Sequence, residues 1–147
     1  MKNASMHYAG GEVRFNSIFP GNQAKGFGMK FPPATTDFEV SVADLNEWLS
    51  LREQTPLRLV DCREEDEFAL CKLESAEFAP LSRFAEEASE RFGGENPDTP
   101  IVIYCHHGMR SLQATMFLRQ RGIDQVWSLA GGIDAWSVEI DPDVTRY

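Results

Sequence analysis

No stretch of this 147-residue chain stays apolar long enough to cross a bilayer, which takes about 20 residues, and Met1–Tyr8 holds no apolar run of signal-peptide length. Cysteine is scarce. Cys62, Cys71 and Cys105 are the whole set, an odd number without a Cys-x2-Cys pair, so neither a disulfide framework nor a zinc site follows. Cys105-His106-His107 are adjacent, and neighbours on a tight loop seldom point at one metal. No metal and no cofactor is expected. Basic residues are also short, 14 Lys and Arg against 23 Asp and Glu, for a formal net charge of −9. Residues 1–38 hold Lys2, Arg14, Lys25 and Lys30 against Glu12 and Asp37, so the acidity belongs to the rest. An acidic body argues against nucleic acid or an anionic membrane as partner. A reducing cytoplasm and a monomer are the expectations.

Against these absences stands Ile101-Val102-Ile103-Tyr104-Cys105-His106-His107-Gly108-Met109-Arg110-Ser111. Four apolar residues in a row read as a short strand buried on both faces. A Cys, a loop with one Gly, and a helical stripe of Leu112, Met116 and Leu118 follow. A strand that ends in Cys and turns straight into a helix sets the sulfur over that helix's first turn. Free N–H groups and the positive end of the dipole point there and lower a thiol's pKa. Cys105 is therefore the candidate nucleophile, with His106, His107, Gly108, Met109, Arg110 and Ser111 as the anion cradle. Gly108 meets a backbone need, positive φ or close approach.

The chain divides into an arm over 1–36, largely irregular or flexible, a domain over 37–140, and a tail over 141–147. In the arm, Gly10, Gly11, Gly21, Gly26, Gly28, Pro20, Pro32 and Pro33 interrupt every candidate element. Ser41-Val42-Ala43-Asp44 reads as a capping box opening a helix whose stripe is Leu45, Trp48 and Leu49, with Trp48 in the core. Leu57–Cys62 is a strand, and Arg63–Leu70 a short helix with acids in its first turn. A strand around Ala76-Glu77-Phe78 follows, then an amphipathic helix burying Leu81, Phe84, Ala88 and Phe92, closed by Gly93-Gly94. The cysteine-bearing segment ends at Arg119-Gln120-Arg121-Gly122. Gln125–Leu129 is the last strand, and Gly131-Gly132 opens the last helix, Ile133-Asp134-Ala135-Trp136. Strands alternating with helices make this an α/β fold with a mainly parallel sheet covered on both faces. Reactive groups collect at the carboxyl ends of such strands, where Asp61 and Cys105 stand.

Four stretches in order resemble a single-domain rhodanese, of the rhodanese-like sulfurtransferase family: Leu59–Phe68, Ala76–Leu81, Val102–Ser111 and Leu129–Trp136. The resemblance implies a five-stranded parallel sheet with helices on both sides, and a Cys105 persulfide during turnover. It implies that Asp61 and Arg63 brace the active-site loop, although Arg63 with Glu67 is equally spaced for a helix ion pair. Trp136 would pack under the loop. The chain departs from the family at Cys71-Lys72-Leu73-Glu74-Ser75-Ala76, where relatives often read Gly-His-Ile-Pro-Gly-Ala. Cys71 there is a spare thiol or a resolving one.

The chemistry so implied moves a sulfane sulfur from thiosulfate, a small anionic donor, or from another persulfide donor. The acceptor is a thiol, cyanide or a sulfur-carrier protein. Arg110 binds the donor's charge or simply pairs with a nearby acid; His106 and His107 tune the thiolate or face solvent. One alternative is a partner-dependent sulfur carrier or binding module with little free turnover. Another is a phosphatase or arsenate reductase of the Cys-x5-Arg type. The spacing Cys105 to Arg110 is Cys-x4-Arg, a smaller loop suited to sulfur.

Overall fold

The computed structural model describes residues 7–9, 12–14, 37–94 and 99–147. Two short strands, β1 (His7–Ala9) and β2 (Glu12–Arg14), pair antiparallel within the arm. They flank Gly10-Gly11, which the sequence reading took only as breakers; the rest of that arm lies outside the described residues.

From residue 39 the elements alternate. They are β3 (Glu39–Val40), α1 (Val42–Ser50), β4 (Arg58–Asp61), α2 (Glu65–Leu70), β5 (Glu77–Phe78), α3 (Leu81–Phe92), β6 (Ile101–Tyr104), α4 (Met109–Gln120), β7 (Val126–Leu129) and α5 (Gly132–Glu139). The five strands from β3 onward form one parallel sheet in the order β3-β7-β6-β4-β5. The expected five-stranded parallel sheet is the observed one.

The reasons are local. Ser41 Oγ accepts the Asp44 N–H at 3.1 Å, capping α1. Glu64 and Glu67 form a reciprocal capping box at the start of α2, where acids also suit the helix dipole. All four residues of β6 and all four of β7 are buried, as strands covered on two faces must be.

Alternation along the strands sorts the core into two layers. Leu59, Val102, Tyr104 and Leu129 pack with Leu45 and Trp48 of α1 and with Ile133 and Trp136 of α5. Val60, Cys62, Ile101, Ile103 and Cys105 pack with Phe84, Ala88 and Phe92 of α3 and with Ala114 and Leu118 of α4. One detail differs from the expected stripe: α4 buries Ser111, Ala114, Thr115 and Leu118, whereas Met116 is exposed. The small residues of that face bring the helix backbone close to the sheet, which a stripe of large side chains would hold away.

The departing turn is held by the body of the protein. Leu73 N–H donates to the buried Tyr104 Oη at 3.0 Å, and Ala76 N–H to the Leu73 carbonyl at 3.3 Å. Ser75 takes a φ of +65°, in the left-handed region. That conformation costs an L-residue about 1–2 kcal/mol, partly offset by the greater unfolded-state entropy of glycine. Ser75→Gly should therefore stabilise the fold by up to about 1 kcal/mol, read as a higher urea midpoint at unchanged slope. A lower midpoint would show that the Ser75 side chain contributes more than its backbone costs.

Candidate active site

β6 delivers Cys105 to the carboxyl edge of the sheet, and α4 begins at Met109. The connection is therefore short, and Arg110 and Ser111, counted from the sequence as part of the cradle, belong to the first helical turn. Gly108 makes the turn with a φ of +109°, and a Cβ there would approach Gly131 N to 3.3 Å. Gly108 N–H donates to Cys105 Sγ at 3.0 Å, and Ser111 N–H at 3.4 Å. Ser111 Oγ lies 3.4 Å from the sulfur and 2.7 Å from Ser128 Oγ of β7. Both serines are fully buried.

A second helix N-terminus sets the loop from behind. Ile133 N–H donates to the Cys105 carbonyl at 2.9 Å, and Asp134 N–H to the His106 carbonyl at 3.1 Å. These orphan amides of α5 reach the loop because Gly132 has no side chain. A Cβ there would overlap the carbonyl oxygens of His106 and Cys105.

The result is a shielded thiolate. Cys105 is 1 % exposed. The Cys62 thiol, on the adjoining strand, donates to its sulfur; burial opposes the charge, and Ser111 and Gly108 add further donors. Together they hold the Cys105 pKa down to about 4. The neighbouring thiolate and burial push Cys62 up, so it stays a thiol. The sequence reading did not pick out Cys62, although its place directly after Asp61 at a strand end was the available signal.

Asp61 and Arg63 form a fully buried ion pair, with Nη2 to Oδ2 at 2.7 Å and Nε to Oδ1 at 3.0 Å. Arg63 also donates to the Cys71 carbonyl and to Tyr147 Oη. Arg63 is thus not the partner of Glu67. Glu67 takes both Nη atoms of Arg110, at 2.8 and 2.9 Å, because α2 presents it across to the first turn of α4. Tyr147 Oη donates to Glu67 at 2.8 Å, and its ring stacks on His106 at 3.9 Å between centroids. Arg110 first, then the Glu64 amide and Tyr147, outweigh burial and hold Glu67 down to about 2. The segment 141–147, read as a tail, therefore closes onto the site, helped by Arg146 on Asp134 at 2.9 Å. His107 is mostly exposed, and so is Met109, at 75 %. Neither imidazole supplies the bonds that reach the sulfur. Among the described residues, no group of three His, Cys, Asp or Glu side chains is placed to hold a metal ion, and no helix is long and apolar enough to cross a membrane.

Residues 42–139 match the family model described as the rhodanese-like domain. The chain belongs to the rhodanese-like family. Over 90 residues this rhodanese-like chain is 31 % identical to the Rhodanese-like/PpiC domain-containing protein 12, chloroplastic, of Arabidopsis thaliana, covering 61 % of this chain and 30 % of that one. It is 29 % identical over 92 residues to the thiosulfate sulfurtransferase GlpE of Shewanella oneidensis, covering 63 % of this chain and 87 % of that one. A rhodanese-related protein from Thermoplasma volcanium superposes with a TM-score of 0.61 at 26 % identity, over 75 % of this chain and 99 % of that one. The chain spans about a quarter to a third of the length of the first curated relatives it matches.

Two measurements check this rhodanese-like site. The ultraviolet thiolate absorbance missing from Cys105→Ser should titrate with a midpoint near pH 4. A midpoint near the ordinary thiol value of about 8.5 would show that the donors do not act on the sulfur. Because the folded pKa is depressed, the linked stability is complete above the unfolded value and vanishes as pH falls through the folded one. In the second, Asp61→Asn leaves Arg63 charged and unpaired in the interior and should cost about 3–5 kcal/mol in chemical denaturation.

Proposed function

We propose that the protein is a sulfurtransferase that carries a sulfane sulfur on Cys105 from thiosulfate, or another persulfide donor, to a thiophilic acceptor. The Cys105 thiolate attacks the outer sulfur of thiosulfate, the S–S bond breaks, and sulfite leaves with the electron pair. The persulfide anion left on Cys105 is then attacked by a thiolate or by cyanide, which takes the outer sulfur and returns the thiolate. One observation carries this reading: a Cys105 sulfur that receives the Gly108 and Ser111 amides at a helix N-terminus, donors that lower its pKa. The relative named as a thiosulfate sulfurtransferase, GlpE, supports the choice of donor.

Each neighbour has a role in that chemistry. The amides of the His106–Ser111 stretch stabilise the anion without reorganising, as fixed dipoles in a dry site do. Arg110, steered by Glu67, presents positive charge to the donor's sulfonate in an otherwise acidic protein. Asp61 and Arg63 brace the loop from below, through the Cys71 carbonyl and Tyr147. The three free thiols suit a reducing cytoplasm.

The exposed Met109 favours a second reading, in which the acceptor is a docked carrier protein and turnover without it is slow. Steady-state assays with thiosulfate and cyanide decide between free and partner-dependent turnover. Cys105→Ser should abolish sulfur transfer. Arg110→Ala should lower kcat/KM for thiosulfate about 10–100-fold, the loss of a charged hydrogen bond worth about 1.5–3 kcal/mol. Aryl phosphate hydrolysis dependent on Cys105, with no sulfur transfer, would overturn the proposal in favour of a phosphatase.

A further inference from the structure

The second buried thiol, Cys62, helps hold Cys105 ionised but forms no bond in the transfer just described. β4 and β6 pair in parallel with Val60 opposite Ile103 and Asp61 opposite Tyr104, and the ladder runs one step further, Cys62 N–H donating to the Tyr104 carbonyl at 3.0 Å. Cys62 thus stands opposite Cys105. Both side chains fall on the same face of the sheet, in the layer shared with α3 and α4. Neighbouring strands lie about 4.8 Å apart, and a disulfide joins Cα atoms about 4.4–6.8 Å apart, so the spacing of β4 and β6 falls within disulfide range. Cys71 does not compete. It packs against the opposite layer, 3.7 Å from Arg63 Nη1, with the sheet between it and Cys105.

We propose that Cys62 is a resolving thiol for Cys105, closing a Cys62–Cys105 disulfide that expels the outer sulfur as hydrosulfide. The proposal rests on the persulfide reading above. In the step, Cys62 Sγ bonds to Cys105 Sγ and the bond from Cys105 Sγ to the outer sulfur breaks. The electron pair leaves with the outer sulfur, which takes the Cys62 proton. The outer sulfur is reduced, and the Cys62 thiol is oxidised into the disulfide. An external dithiol then restores both thiols by exchange. When an acceptor is present, its attack on the outer sulfur competes with this closure. When none is present, the loaded enzyme discharges as sulfide and rests in a closed, oxidised form.

The test uses the whole protein, reduced, desalted and given one equivalent of thiosulfate without an acceptor, then mapped by mass spectrometry in the absence of reductant. Wild type should lose two hydrogens, yield a Cys62–Cys105 cross-linked peptide and release one equivalent of sulfide. Cys62→Ser and Cys62→Ala should instead keep one added sulfur on Cys105 and release sulfide at least about tenfold more slowly. Wild type that keeps the added sulfur with no cross-link overturns the resolving role and leaves the sulfurtransferase reading standing. Wild type with neither added sulfur nor cross-link overturns both. The wild-type arm decides the matter even where a substitution at the fully buried position 62 prevents folding.

Discussion

A charged sulfur in a protein interior is unfavourable unless donors meet it, and most of this fold is arranged around meeting one. At 1 % exposure Cys105 has little water to solvate its charge. Two backbone amides, a serine hydroxyl and a neighbouring thiol replace that water. None of these would stay in place alone. The N-cap and the first turn of α4 supply the two amides, Ser128 of β7 fixes the Ser111 hydroxyl, and the α5 N-terminus holds the loop carbonyls. Two helix ends therefore converge on one strand end. The positive pole of α4 faces the sulfur, and that of α5 is spent on backbone that fixes where the sulfur points.

The charge arrangement follows a similar division between local and global. A protein of net charge −9 repels small anions at long range, yet the immediate surroundings of Cys105 are rich in donors and cations. Arg63 is neutralised by Asp61 deep in the core, where an unpaired charge would be costly. Arg110 is held at the rim by Glu67, half-buried, so its position is set without hiding it from solvent. Tyr147 joins the two pairs by accepting from Arg63 and donating to Glu67. The buried pair under β4 and the rim pair at α4 are thereby coupled through a single phenol.

How much of this was readable before the structure depended on the range of the interaction. The strand at Ile101–Tyr104, the helix after it and the nucleophilic role assigned to Cys105 rest on local pattern, and the expected parallel sheet is present. Gly131 and Gly132 were read as a helix start, but the carbonyls that force glycine at 132 lie twenty-odd residues earlier and cannot be seen from spacing. The same holds for Glu67. Its i,i+4 relation to Arg63 is visible in one dimension, whereas its actual partner, Arg110, is 43 residues away. Residues 141–147 have no periodicity, so nothing in their pattern announced Tyr147 as part of the site. The order of strands and helices was legible; the pairings that side chains make between elements were not.

Register is also what separates the three cysteines. In sequence Cys71 is the nearer to Cys105, 34 residues away against 43 for Cys62, and the non-family turn at 71–76 draws further attention to it. A period of two along each strand sends Cys62 and Cys105 to one face together. Cys71 lies beyond α2, in the layer built on Tyr104 and Leu73, where Arg63 occupies it. A parallel pairing shifted by one residue would turn Cys62 to the other layer and leave Cys105 without its largest donor. The contribution of Cys62 to the site is therefore a property of how β4 and β6 align, and the α4 amides and Ser111 supply the rest.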